Sequence, residues 1–297
     1  MSHRFEVSHG TCGARGMRDI LQRQLETAVA ELPRSAASDE EIHRARKQMK
    51  AARATLRLLR PLLSELAWGR GNRALRDAAR ALSAARDDAV LLQTLGELAG
   101  RSKGAGQRRR LGEFQARLQR AAGRRRRELA HHGLRKSAAG LRSALTLLDS
   151  WPTPPEDWQP VYRSLRDTYR KGRRCARSNA RHASGPTLHE WRKRAKCLRN
   201  QLELIAPLQH ASVAAMSAKL HELSDHLGEE HDLAVLADLA QRNGRQLGRK
   251  TDCALQKVIE KRRRKMRKRA FAVGLPIYAE KPGHFELRLR HYFRRWS

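Results

Sequence analysis

One pattern of basic and apolar residues occurs twice in this chain, and it limits the possible folds more than any other feature. The segments EIHRARKQMKAARATLRLL, beginning at Glu41, and TLHEWRKRAKCLRNQLELI, beginning at Thr187, place a histidine, Arg-Lys, Lys and Arg at the same spacing. Each residue of an α-helix advances about 100° around the axis, so these basic residues share one arc of about 120°. Both segments are therefore predicted to be helices with one cationic side.

The opposite side of each predicted helix is apolar. The apolar stripes are Ile42, Ala45, Met49, Ala52, Leu56 and Leu59 in the first segment, and Leu188, Trp191, Ala195, Leu198, Leu202 and Ile205 in the second. A stripe of this width is typical of a helix buried in a bundle. We call the basic sets the first row (His43, Arg46, Lys47, Lys50, Arg53 and Arg57) and the second row (His189, Arg192, Lys193, Lys196 and Arg199). Glu203 occupies the position of Arg57, so the second row is shorter.

A second pair of motifs shows that the repetition extends beyond the two rows. LSAARDDAVLL begins at Leu82 and LGEEHDLAVLA at Leu227, an offset of 145 residues, against 146 between His43 and His189. The segment WPTPPEDW, 151–158, lies between the copies, and its prolines are typical of a linker. The sequence therefore predicts an internal duplication with halves 1–150 and 151–297.

The chain between these punctuation points favours helices throughout. It is rich in Ala, Leu, Arg, Lys, Glu and Gln, which are good helix formers, and poor in the β-branched and aromatic residues that strands prefer. Helices are predicted at roughly 16–33, 38–66, 72–99, 105–149 (with a break near Gly133), 158–182, 187–208, 211–242 and 249–273, followed by a tail. The expected fold class is all-α, with four helices in each half.

The charge of the chain points to an anionic partner. Lys and Arg number 63 against 30 Asp and Glu, a net charge of +33, which repels itself unless a polyanion neutralises it. Nucleic acid, an anionic membrane surface and a phosphate polymer all qualify. No apolar run is long enough to span a membrane, and no signal peptide is expected at the N-terminus. The four cysteines lack metal or disulfide spacing, which favours a reducing cytoplasm.

The two rows favour a ligand over an ordinary solvated surface. Like charges three and four residues apart destabilise a helix slightly, and the same arrangement occurs twice. His43 and His189 lie at the cationic side and not in the stripe. Either they donate hydrogen bonds to a phosphate, which would raise their pKa values, or they make structural hydrogen bonds. A metal-binding role has little support, because no second ligand lies three or four residues away on that side.

Three other features invite a functional interpretation. Asp87 and Asp232 recur in the second motif pair, where they either orient basic side chains by charge-assisted hydrogen bonds or act as acids for catalysis or Mg²⁺; we favour the orienting role. Arg170 and Arg173 share one side of YRKGRRCAR and are predicted to be secondary basic contacts. The basic runs at 124–127 and 261–269 cover most of a helix circumference, which indicates non-specific phosphate affinity.

Taken together, these motifs resemble the CHAD domain, the conserved histidine α-helical domain. The resemblance is carried by both HxxRKxxKxxR rows and is supported by ARDDAVL, EEHDLAVL, YRKGRR and the tail YAEKPGHFELRLRHYFRRW. It implies two four-helix bundles related by a pseudo-two-fold axis around a basic central groove or pore. It also implies binding of inorganic polyphosphate and association with polyphosphate granules in the cytoplasm. By the same resemblance the two rows would line the groove and grip the polymer from both sides.

Three functions compete at this point. Non-enzymatic polyphosphate binding agrees with rows that contain no aromatic residue for stacking on bases. Nucleic-acid binding is the alternative, although binders of single strands usually interleave aromatic residues with basic ones. A polyphosphate-processing enzyme has the least support, because the sequence contains neither a P-loop nor an acidic cluster for metal-assisted phosphoryl transfer. No cofactor or metal is expected, and the sequence does not set the oligomeric state.

Overall fold

The structure, a computed structural model, describes residues 13–32, 38–100, 104–205, 211–243 and 247–293. These residues form helices joined by short connections, and no strand occurs among them, so the all-α prediction is confirmed. The helices are α1 (Gly13–Ala30), α2 (Asp39–Leu58), α3 (Glu65–Ala81), α4 (Ser83–Gly100), α5 (Ala105–Asp149), α6 (Gln159–Arg181), α7 (Gly185–Ile205), α8 (Ala211–Arg242), α9 (Arg249–Ile277) and α10 (Pro282–Phe293).

Helix α2, which carries the first row, has well-defined ends. At its start the Ser38 backbone N–H donates to Glu41 Oε2 (2.8 Å) and the Glu41 N–H donates to Ser38 Oγ (3.2 Å), a capping box. These hydrogen bonds, the backbone one first, lower the pKa of Glu41. The predicted helix 38–66 is too long, because Pro61 lies in a 3₁₀ turn (Arg60–Leu62) and disfavours helical geometry before it. Ser64 then caps α3.

Three other sequence predictions differ from the structure. The predicted helix 72–99 is two helices, since α3 ends at Ala81 and α4 begins at Ser83. Helix α5 is continuous through Gly133, where a break was predicted. The predicted tail contains a further helix, α10, whose Phe285 ring stacks on the buried Tyr169 of α6 at a centroid distance of 4.2 Å.

The predicted linker at 151–158 is held against the start of α1. The Ala14 N–H donates to the Asp157 carbonyl (2.9 Å), and Arg15 forms an ion pair with Glu156 (2.7 Å). Gly13 adopts φ +52°, and a Cβ there would lie 2.4 Å from the Asp157 backbone. Only glycine accommodates both that conformation and that approach. The connection between the halves is therefore fixed to the N-terminal half.

Two hydrophobic clusters hold the described helices together, and each draws on both halves. The larger cluster includes residues of α1, α2, α3 and α5 together with residues of α6 to α10. The smaller one contains Leu95, Leu98, Leu111 and Phe114 with Leu233, Leu236, Ala240, Leu247, Leu255 and Ile259. The halves therefore pack against each other along two cores. Their division into separate bundles at 150/151 stays a prediction.

Candidate anion-binding surface

The two cationic helices are anchored as their apolar stripes predict. Every stripe residue of α7 is buried, and so is every one of α2 except Ile42, which is partly buried and packs against the larger core. Helices α2 and α7 also contact each other. The two rows, 146 residues apart in sequence, therefore lie on neighbouring helices.

The rows approach each other at their fourth positions, Lys50 and Lys196. The pKa of Lys196 is lowered to about 7, first by burial and then by the charges of Arg192, Lys50 and Arg199, whereas Asp225 opposes them. Lys50 belongs to the other half of the chain, so the field at Lys196 is produced by both rows. A cation kept in such a place destabilises the unliganded protein and would be stabilised by an anion.

Arg53, further along α2, is a second cation whose charged form is disfavoured in the folded protein. Its pKa is lowered to about 10, first by burial and next by Arg57. Its Nη2 donates to Asn72 Oδ1 at 3.4 Å, while its buried Nε has no hydrogen-bond partner among the described residues. Cys197 of α7 lies close enough to affect its titration, which again places the two helices side by side.

Residues of the second row contact α8. The rings of His189 and His231 lie 4.4 Å apart between centroids, and the buried Nδ1 of His189 has no partner in the part of the chain described. Burial and then His231 lower the pKa of His189. Arg192 crosses Gly228, where an added Cβ would lie 3.2 Å from its guanidinium. Without an anion the site therefore disfavours histidine protonation, whereas a bound phosphate is predicted to favour it.

The second row has countercharges on its own helix. In the second row Lys193 Nζ lies 2.5 Å from Glu190 Oε2, and Arg199 Nε lies 3.3 Å from Glu203 Oε1. Arg46 of the first row donates a hydrogen bond to the Leu82 carbonyl at 2.9 Å. Glu203 occupies the position that Arg57 holds in the first row. Part of the positive charge of the second row is therefore neutralised by acidic residues of the same helix.

Some of the remaining predicted site residues are exposed, and others contact neighbouring parts of the chain. His43 and Lys47 are exposed on α2. The Arg57 carbonyl accepts a hydrogen bond from Ser164 of α6 at 2.7 Å. Arg170 pairs with Asp167 at 3.2 Å, and Arg173 Nε donates to the Tyr278 carbonyl at 3.0 Å. The predicted residues His43, Lys47 and Arg57 lie on α2, and Arg170 and Arg173 lie on α6.

The two recurring acids are not assigned a role by these contacts. Asp232 is partly buried on α8, and the side chain of Asp87 lies outside the described residues. The orienting role of both stays a prediction. Another acid of α8, Asp225, does act on the second row, because it opposes the lowering of the Lys196 pKa. Sequence spacing alone gave no signal for it.

A structural role for part of the basic run 261–269 was missed in the sequence. Glu230 is 1% exposed and accepts hydrogen bonds from Arg263 (2.9 Å) and Arg267 (3.0 Å). Arg262 pairs with Glu229 and, at 3.2 Å, with Glu97 of α4. These arginines tie α9 to α8 and α4, whereas Lys261, Lys265 and Lys268 are exposed. Glu97, Glu229 and Glu230 lie more than 30 residues away in sequence from the arginines they hold, so only the fold reveals these pairs.

Two kinds of feature are absent from the described residues. These residues contain no group of three or more His, Cys, Asp and Glu side chains arranged to hold a metal ion. None of their helices is both long and apolar enough to cross a bilayer.

Comparison with known proteins places the chain in a family. A search of curated proteins found no match. The fold is similar to the crystal structure of the CHAD domain from the plant Ricinus communis, with a TM-score of 0.67 and 16% identity over 94% of this chain and 95% of that chain. The sequence model of the CHAD domain matches residues 19–241, which is most of the chain. The chain therefore belongs to the CHAD domain family.

Proposed function

We propose that this protein binds inorganic polyphosphate, without enzymatic activity, through the two rows on α2 and α7. The observation that carries the proposal is the approach of Lys50 to Lys196, where two halves of the chain bring like charges together beside a partly buried lysine. Like charges held together in this way are stabilised by a polyanion that contacts both. CHAD domains are associated with polyphosphate binding, which agrees with this chemistry.

The arrangement of the binding surface is part of the proposal. We infer that α1, α2, α3 with α4, and α5 correspond to α6, α7, α8 and α9, giving two four-helix units around a basic groove. Lys50 and Lys196 hold equivalent positions in the two rows, and equivalent positions approach each other only close to a two-fold axis. Their proximity supports a pseudo-two-fold relation with α2 and α7 at its centre. A linear polymer lying along this axis would meet both rows.

Calorimetric titration with long-chain polyphosphate at about 0.15 M salt tests the proposal, because weak surface attraction is screened at this ionic strength. The variant Lys50→Glu/Lys196→Glu should weaken binding by at least about tenfold and lower the salt dependence of the affinity, since fewer counterions are released on binding. Lys265→Glu/Lys268→Glu, with the same charge change on the exposed side of α9, is the matched control and should bind within about twofold of wild type.

Single-stranded RNA serves as the competitor. If the two double variants weaken binding equally and RNA displaces polyphosphate at similar phosphate concentration, the protein is a general polycation and nucleic acid is the better candidate. Production of orthophosphate from polyphosphate with Mg²⁺ would overturn the non-enzymatic assignment. In cells, we propose a cytoplasmic location at polyphosphate granules. Colocalisation of a fluorescent fusion with granules, lost in Lys50→Glu/Lys196→Glu, tests that location.

A further inference from the structure

A second concentration of positive charge lies on the outer side of α6. A cleft of about 560 Å³ is lined there mainly by basic residues, with Ser178 and Pro282 at its edge. The basic residues are Arg170, Arg173, Arg174, Arg177, Arg181 and His182. The five arginines fall within an arc of about 100° on the helix. The predicted contacts Arg170 and Arg173 are thus two members of a larger set.

The arginines of this cleft differ in how they are held. Arg170 pairs with Asp167, and Arg173 donates to the Tyr278 carbonyl. Arg174, Arg177 and Arg181 are exposed and form no ion pair with any residue that the structure describes. Each of these three guanidiniums therefore has donors directed to solvent, and guanidinium is the side chain best suited to bind phosphate oxygens in pairs.

The cleft is built on a rigid support. The opposite side of α6 is buried through Val161, Leu165, Tyr169 and Ala176. Tyr169 Oη donates to the Ile277 carbonyl at 3.1 Å, which fixes the α9–α10 connection beside the cleft. Helix α10 begins at Pro282 on the cleft edge, so the positive end of its dipole adds to the field there. A phosphate entering the cleft would meet arginines whose helix does not need to rearrange.

The lining of this cleft contains no residue of either row, and the second row has an acidic neighbour of its own. Glu190 pairs with Lys193 of the row at 2.5 Å and with Arg194 at 2.5 Å. It lies beside the Cys175 thiol of α6, whose pKa is raised first by burial and then by Glu190, while Arg174 and Lys193 act in the opposite direction. Glu190 thus lies at the α6–α7 interface, and both of its ion-pair partners belong to α7.

We propose that the α6 cleft is a second, independent site for linear oligophosphate, so that one protein molecule holds two polyphosphate segments. This inference rests on the proposed function of the rows and extends it. Two sites on one rigid body link two chains, or two segments of one chain, and binding of the second segment gains from effective concentration. The protein would then cross-link polyphosphate as well as coat it.

Stoichiometry with tripolyphosphate tests the inference, because this anion is too short to occupy both surfaces. Calorimetry of wild type should give two binding events per chain, and Arg177→Glu/Arg181→Glu should lose one and leave the other within about twofold. Lys50→Glu/Lys196→Glu should lose the other event, and Lys265→Glu/Lys268→Glu should retain both. With long-chain polyphosphate, light scattering should report large assemblies for wild type and the lysine control only.

The outcomes separate this inference from the proposed function. If Arg177→Glu/Arg181→Glu keeps both events, or if both groove and cleft variants weaken a single event, the cleft is not an independent site. If the cleft variant abolishes all binding and Lys50→Glu/Lys196→Glu changes nothing, the cleft stands and the row proposal fails. Absence of any polyphosphate binding by wild type overturns both.

Discussion

Replacing Lys196 by methionine should stabilise the ligand-free protein and weaken its ligand binding at the same time. Lys196 is partly buried next to Arg192, Lys50 and Arg199, and Asp225 opposes their effect on its pKa. Methionine keeps much of the length and packing of the lysine stem but removes its charge. The change therefore removes a positive charge that destabilises the ligand-free folded protein and that would attract a polyanion.

The size of this effect follows from the pKa of Lys196, which falls from 10.5 to about 7 on folding. One pKa unit corresponds to about 1.4 kcal/mol, so the protonated lysine costs the folded state up to roughly 5 kcal/mol below pH 7. Between these two values the unfolded chain binds more protons than the folded one, so the free energy of unfolding rises with pH. From pH 7 to pH 9 the expected rise is about 2 kcal/mol.

Urea unfolding of wild type and Lys196→Met at pH 7 and pH 9, at constant ionic strength, measures this effect. Methionine should raise the free energy of unfolding at pH 7, and its advantage should shrink by about 2 kcal/mol at pH 9. Lys47→Met, a change at an exposed position of the first row, is the control and should show no such pH dependence. An advantage of equal size at both pH values would refute the reasoning.

The same lysine links ligand binding to protons. A polyanion beside Lys196 should raise its pKa towards the ordinary lysine value, so polyphosphate binding near pH 8 should take up protons. Calorimetry in buffers of different ionisation enthalpy measures this uptake, which Lys196→Met should reduce. Equal uptake by the two proteins would assign the protons to other groups, such as the His189–His231 pair.

Three further substitutions have distinct expected outcomes. Glu203→Gln releases Arg199 and should tighten polyphosphate binding about threefold, with a steeper salt dependence; unchanged calorimetric affinity would mean that this ion pair does not compete with the ligand. Gly228→Ala displaces the Arg192 guanidinium and should weaken binding several-fold, while stability to urea holds or rises because alanine favours helices by about 1 kcal/mol; a loss of stability instead would show that the helix backbone had moved. Glu230→Gln removes the buried countercharge of two arginines on α9 and should lower the free energy of unfolding by about 3–5 kcal/mol. The affinity of the folded protein for polyphosphate should stay unchanged. A parallel loss of affinity would contradict a purely structural role.

The sequence predicted the helical class and the local orientation of the two rows. Periodicity placed Met49 and Trp191 on buried sides, and both are fully buried in the structure. The sequence also places Glu203 where the first row has Arg57, and in the structure this residue pairs with Arg199. Helix ends were less accurate: Pro61 ended α2 early, and nothing in the local pattern announced the division between α3 and α4.

The sequence by itself therefore determined which side of each row helix is apolar and which side is cationic. It also determined that this pattern occurs twice. These properties depend on spacing within one helix, and the geometry of a helix is the same in every protein. Only the tertiary structure decided that Lys50 approaches Lys196, that Glu230 holds Arg263 and that the arginines of α6 form a separate cleft. Burial and Coulomb energies depend on distances through space, and distances between residues far apart in the chain arise only when the helices pack.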